Sequence, residues 1–423
     1  MAPGEQAPSA AVAVPVEALS PAEPWPPRPR RGLWFTLAAL VVYRLGTYIP
    51  IPGINPAALA ESFKAQSSGI LGMFNMFSGG AFGRMAIFAL NIMPYISASI
   101  IMLLVTSVVP TLEQRKQINQ YTRYITVALA AVQAYGIALG LEGSRGASGP
   151  VVIDPGWFFR SSTVVTLVGG TIILTWLGEQ ITARGVGNGT SLIIMSGIVA
   201  GLPRALAGLL EFSRQGAISW PLLIALFTLM LSVVGGMVFI ERSQRRLLIQ
   251  TPRRHTANRM FQGPVSHLPL KLNSAGIIPP IFASSLLLLT TTAAQGVGPE
   301  WLIAIIASLG RGHLLHIVTY VALIIFFAFF YTAIAFNPQE TADNLRKSGG
   351  FLPGIRSGAR TAEYIDYVLT RITVIGAIYL SVVCVLPELL PLYFNGTALL
   401  IVVLVMLELV PIAKAIFRSA GPT

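Results

Sequence analysis

The sequence predicts an all-α polytopic membrane protein of about ten transmembrane helices, and three observations carry that prediction. Hydrophobic residues fill 54% of the 423 positions and charged residues only 11%, against about 25% charge in a soluble globular chain. Apolar runs near the roughly 20 residues needed to cross a bilayer recur along the chain. The Lys and Arg residues gather between alternate runs, as cytoplasmic loops of a membrane protein do. A mean hydropathy of +0.69 leaves a soluble fold no place for this much apolar surface. The net charge of +12 would suit nucleic acid in a soluble protein, but in this pattern it fixes orientation. The single cysteine, Cys384, lies in an apolar run. It forms no intrachain disulfide or multi-thiol metal site and reads as a small buried hydrophobe.

Residues 1–31 are rich in Ala and Pro and lack the basic stretch and short apolar core of a cleavable signal. They are expected to be a disordered cytoplasmic tail, closed by Arg28, Arg30 and Arg31. Apolar runs follow at 33–49, 85–109, 124–141, 162–182, 191–202, 220–240, 275–294, 314–336, 365–386 and 398–416. With the N-terminus inside and the loops alternating, 21 Lys and Arg lie inside and 7 outside, and Arg44 lies within the first span. That bias predicts ten spans with both termini cytoplasmic. The fifth run is short; it either continues through 205–210 or is a tilted or interrupted span.

Between the first and second runs, residues 67–83 are too short to span and are broken by Gly79 and Gly80. A non-spanning half-helix at membrane depth must be buried in protein or line an aqueous cavity. Pro94 should kink the following span. Two inside loops, 241–273 and 337–364, hold 11 of the 21 inside charges. Both are long enough to be functional, and they read as ordered protruding hairpins that dock a partner.

Other signals are weak. Arg44, Glu179 and Glu408 are scattered and form no chain of mid-membrane carboxylates for ion coupling. His313 and His316 have no acidic or Cys neighbour and read as a loop pair. Gly185, Gly187 and Gly189 do not follow a strand, so they read as a flexible link rather than a phosphate loop. No catalytic serine elbow or zinc-protease motif is present, so no enzyme, cofactor or metal is expected.

Several runs resemble the SecY family of protein-conducting channels. They are IPIPG at 49–53, FNMFSGGA at 74–81, IMPYISASI at 92–100, QYTRY at 120–124 and WLGEQIT at 176–182. GVGNG at 185–189, HLPLK at 267–271, FNPQETADN at 336–344 and GIR at 354–356 complete the set, in family order. The resemblance implies a clamshell of two inverted five-helix halves around a pore, residues 32–210 and 211–423. It implies a plug at 69–83 with Phe74, Asn75, Phe77, Ser78, Gly79 and Gly80. Ile92, Ile96, Ile194, Ile281 and Ile401 match the family's pore ring, with Thr190 at the sixth position. Ser97, Gln133 and Asn273 match the polar cluster of a lateral gate. Arg259 and Arg356 match docking positions in the two loops.

The implied function is passage of unfolded secretory precursors across the bacterial cytoplasmic (inner) membrane, with lateral release of transmembrane segments into phospholipid. No nucleotide site is visible, so energy would come from the SecA ATPase or the ribosome. SecE and SecG are the implied subunits of this Sec pathway translocation complex. An ion-coupled secondary transporter, which also uses inverted repeats and broken helices, stands as the alternative. A scaffold or insertase without a continuous pore is the third reading.

Overall fold

The computed structural model describes residues 29–66, 75–108, 115–146, 149–216, 219–250, 255–256, 259–260, 266–297, 314–389 and 396–419. The first half carries α1 (Pro29–Gly46), α2 (Pro56–Gln66), α3 (Met93–Val108), α4 (Arg115–Gly143), α5 (Trp157–Arg184) and α6 (Gly189–Arg214). The second carries α7 (Trp220–Arg242), α8 (Ile278–Val297), α9 (Leu314–Ala335), α10 (Pro338–Lys347), α11 (Ala359–Leu389) and α12 (Gly396–Ser419). All but α2 and α10 overlap one of the ten predicted runs. Among the described residues, seven helices are long and apolar enough to cross a membrane by length and composition. A helix is the expected form because it satisfies every backbone group within its own segment.

The ten long helices form two sets that share four neighbour relations. In the first, α1 packs on α6, α3 on α4, α4 on α5 and α5 on α6. Five spans later, α7 packs on α12, α8 on α9, α9 on α11 and α11 on α12. An odd number of spans per set inverts the second relative to the first, which gives the ten-helix clamshell. The sets meet along two seams: α3 and α4 against α8, and α6 against α7 and α12.

Asparagine starts three helices. Asn55 Oδ1 accepts from the Ala57 amide at 3.0 Å, Asn188 Oδ1 from Thr190 at 3.1 Å and Asn337 Oδ1 from Gln339 at 3.1 Å. Each satisfies a donor that the first helical turn leaves open. Pro56 and Pro338 follow two of these caps, at the first helical position, where a missing N–H costs nothing.

Four expectations are corrected. The second span starts at Met93 rather than 85, because residues 78–92 form consecutive turns. Pro94 therefore sits in the first turn of α3, where no i→i−4 bond is due, and does not kink a helix. The glycines at 185–189 form a tight corner rather than a flexible link. The Gly185 amide donates to the Ile181 carbonyl at 2.7 Å and the Val186 amide to Thr36 Oγ1 at 3.0 Å. A Cβ at Gly189 would collide with the Gly178 carbonyl. His316 is not in a loop: it lies in α9, 2% exposed, with its ring stacked on Tyr320. The fifth run, left open above, continues through Pro203 to Arg214.

A short hairpin pairs β1 (Arg145–Gly146) with β2 (Gly149–Pro150). The loop at 241–273 is a larger one. Antiparallel β3 (Gln244–Ile249) and β6 (Ser266–Lys271) run from Gln244↔Lys271 to Ile249↔Ser266. Beyond them β4 (His255–Thr256) pairs with β5 (Arg259–Met260). Leu247, Ile249, Leu268 and Leu270 alternate onto one buried face, as the two-residue period of a strand requires. That face packs on Leu352, Ile365, Val368 and Ile372 from the second loop and the start of α11. Gln250 and Phe351 exchange both backbone hydrogen bonds at 2.9 Å. The two loops are thus one packed unit.

Candidate functional site

Five isoleucines from both halves converge. Ile92 ends the turn segment, Ile96 lies in α3, Ile194 in α6, Ile281 in α8 and Ile401 in α12, and all belong to one apolar cluster. Ile401 is fully buried, and Ile92, Ile194 and Ile281 are nearly so. The spacing explains the convergence. Ile92 and Ile96 stand four residues apart, so they share a face, and the Ile96 amide donates to the Ile92 carbonyl at 3.1 Å. Thr190 precedes Ile194 by the same interval on α6. Its hydroxyl faces α5, where a Cβ at Gly178 would meet it at 3.5 Å.

Phe77, 0% exposed, belongs to the same cluster. Phe74 lies outside the described residues. Asn75–Phe77 is one helical turn and the chain then proceeds by turns, in place of the half-helix expected through residue 83. Asn75 closes this knot: its Oδ1 accepts from the Gly83 amide at 2.6 Å and its carbonyl from the Gly80 amide at 2.7 Å. Ser78, buried, accepts from the Phe82 amide at 3.0 Å. Gly79 (φ 64°) and Gly80 (φ 85°) lie in the left-handed region, which other residues adopt only at a cost.

The knot sits on α6. A Cβ at Gly197 would collide with the Phe77 carbonyl and come within 2.9 Å of the Tyr43 hydroxyl. Asn91 Nδ2 donates to the same Phe77 carbonyl at 2.8 Å. Sequence reasoning missed Gly197 and Asn91. A glycine inside an apolar helix was the available signal for the first, and nothing marked the second.

The three residues expected at a lateral gate are less closely associated. Ser97 is half-buried in α3, and Gln133 is buried in α4, its Oε1 without a hydrogen-bond partner. Asn273 precedes α8 and is committed locally. Its Nδ2 donates to Glu241 Oε1 at 2.8 Å and to the Gly276 carbonyl at 3.2 Å, and its Oδ1 accepts from the Gly276 amide at 3.0 Å. Asn273 therefore ties the end of α7 to the approach of α8. The seam beside them is apolar: Ile100 of α3 packs on Phe282 of α8 and Phe327 of α9, whose rings meet edge-on at 5.4 Å.

Of the two docking residues, Arg259 pairs with Thr256 at the far end of the hairpin. Arg356 is exposed just before α11, and its carbonyl accepts from Thr361 Oγ1 at 3.0 Å. Glu179 is on the surface of α5, in an ion pair with Arg123 at 2.8 Å. Among the described residues no group of His, Cys, Asp and Glu could hold a metal ion.

The SecY family model matches residues 86–410. The protein translocase subunit SecY of Rickettsia conorii is 52% identical over 390 residues, covering 88% of this chain and 90% of the relative. SecY of Escherichia coli K12 is 49% identical over 409 residues, 92% of each chain. A solved structure described for the plug domain of SecY, which maintains a membrane seal, aligns with a TM-score of 0.69 at 17% identity, over 91% of this chain and 92% of that one. Sec61 in the canine ribosome–channel complex from the endoplasmic reticulum aligns with a TM-score of 0.63 at 17% identity, over the same shares. At that identity the structural matches carry the fold.

Proposed function

The chain belongs to the SecY family, and on that premise we propose how its parts divide the work of a Sec protein-conducting channel. It is a multi-pass membrane protein that passes polypeptide rather than a solute. Ile92, Ile96, Ile194, Ile281 and Ile401 form the pore ring, with Thr190 at its sixth position. Branched aliphatic side chains part around a passing chain and close behind it without holding it. Residues 75–83, with Phe77 at the ring, form the described part of the plug. The α3/α8 seam is the lateral gate, with Ser97, Gln133 and Asn273 near it.

The joined loops at 241–273 and 337–364 face the cytoplasm and receive the ribosome or the SecA motor, through Arg259, Arg356 and their neighbours. Basic groups there suit RNA phosphates, which attract Lys and Arg largely without sequence preference. SecE and SecG complete the complex in the bacterial inner membrane, with both termini of this chain inside. The chain itself supplies a path, not a catalytic step. The observation that carries this reading is the meeting of five isoleucines from both halves with Phe77 in one cluster.

The test is replacement. In cells depleted of their own channel, this chain supplied with SecE should restore export of a signal-bearing precursor. Normal insertion of the chain with no export, or uptake of a small solute instead, would reject the channel reading.

A further inference from the structure

We propose that Arg44 and Arg84 form a paired latch on the base of the plug, as positioning residues that set how readily the channel opens. The inference rests on the channel reading above and adds what holds the plug in place.

Two guanidinium groups converge on one backbone oxygen. Arg44 Nη1 donates to the Gly79 carbonyl at 2.8 Å, and Arg84 Nη2 donates to the same oxygen at 3.2 Å. A carbonyl has two lone pairs and can accept both. The groups also share an aromatic face: their central carbons lie 5.0 and 4.3 Å from the Tyr48 ring centroid. Arg44 Nη2 donates to the Tyr48 hydroxyl at 3.0 Å, and Arg84 Nε to the Thr47 carbonyl at 3.3 Å. Thr47 follows α1, where terminal carbonyls lack helical partners and favour cations. These partners belong to the end of α1 or to the plug base.

The placement argues for a dedicated role. In the proposed orientation both arginines lie toward the outer face, against the general preference for basic residues inside. Both are half-buried, so water can replace the carbonyl when the plug leaves. Charge-assisted hydrogen bonds are stronger than neutral ones, yet release here strands no charge in lipid.

The centre of the seat is made to yield. Asn91 adopts φ 52° to reach the Phe77 carbonyl, its Oδ1 is buried without a hydrogen-bond partner, and so is the Tyr43 hydroxyl. Unsatisfied buried polar atoms and a left-handed side-chain-bearing residue both cost stability in the closed state. A strained centre with a strong rim describes a stopper held by its latch.

The experiment compares Arg44→Gln, Arg84→Gln, the double variant, Arg84→Lys and a deletion of residues 75–83. Each is measured as the purified complex in planar bilayers and in cells exporting a signal-defective precursor. Each glutamine should raise ion leak and defective-signal export about tenfold, the ratio that ~1.4 kcal/mol produces. The double variant should fall short of the product, because both groups hold one oxygen, and Arg84→Lys should recover part of the seal. Normal export of an intact precursor separates the latch from misfolding.

Should the double variant not accumulate, Tyr48→Leu at an exposed side chain should show the same leak. A tight channel in that variant would overturn the latch. So would wild-type leak and stringency in the double variant alongside a leaking deletion, and the plug would stand. A deletion that stays tight would overturn the plug reading itself and the latch with it.

Discussion

Replacing Gly197 with alanine should open the channel, and the structure sets the size of the effect. A Cβ at Gly197 collides with the Phe77 carbonyl, comes within 2.9 Å of the Tyr43 hydroxyl and lies 3.1 Å from the Gly79 amide nitrogen. Two of the three are plug backbone, which cannot rotate away as a side-chain tip does. Overpacking of a filled interior costs about 1–3 kcal/mol. Applied to the plugged state alone, that shifts the ratio of unplugged to plugged channels by about 5- to 150-fold. Alanine also favours a helix interior over glycine by about 1 kcal/mol, so a control must carry the same gain. Gly201, one turn further along α6, supplies it, because a Cβ there meets nothing within 4 Å. Gly197→Ala should therefore raise planar-bilayer conductance and export of signal-defective precursors, and Gly201→Ala should change neither. Equal behaviour of the two variants at equal membrane abundance would refute the packing argument. The plug would then rest on something other than α6.

Two further outcomes test the cytoplasmic side. Arg356→Glu should impair SecA-driven translocation into membrane vesicles while leaving the amount of inserted chain unchanged; full translocation would remove Arg356 from the docking surface. Leu247→Ala, which alters no charge, should cost about 2–5 kcal/mol in the packed loop unit. It should speed tryptic cleavage after Arg245 and Arg246 and weaken ribosome binding, whereas wild-type protection would mean that the two loops hold their shape independently.

Much of the fold was legible because lipid imposes one rule on every span. Length, apolarity and the alternation of basic loops placed all ten long helices, while the start of α3 fell later than expected and that of α4 earlier. The error at α3 was physical. Residues 85–92 are as apolar as a span, but they are buried in protein as turns, and hydropathy does not distinguish lipid from protein interior. Pro94 and the 185–189 glycines misled for a related reason. Their meaning depends on whether they fall inside a helix or at its end, and on what approaches within a Cβ's reach. The isoleucines could be named only through the family resemblance, since isoleucine is common in every span. Asn273 shows the converse. The resemblance placed it with Ser97 and Gln133, while its described hydrogen bonds go to Glu241 and Gly276. The junction of the two loops at Gln250 and Phe351 was invisible, because backbone pairing between distant segments leaves no compositional trace.

The two seams between the halves differ in a way that bears on lateral release. On the side of α6, a short link to α7 joins the halves covalently. On the other side, α3 meets α8 and α9 through Ile96, Ile100, Leu104, Ile278, Phe282, Leu323 and Phe327. The hydrogen bond described across it, from Ser285 Oγ to Met93 Sδ at 3.9 Å, is a weak one. Helices in lipid gain no hydrophobic free energy by associating, because lipid tails are as apolar as leucine. Such a seam, as described, holds mainly by packing. An apolar segment of a precursor that enters it replaces one set of dispersion contacts with another, and lipid then offers a third of similar worth. A polar segment has no such exchange available, since leaving the aqueous pore would strip its hydrogen bonds. If this seam is the lateral gate proposed above, it would sort segments by their own transfer free energy.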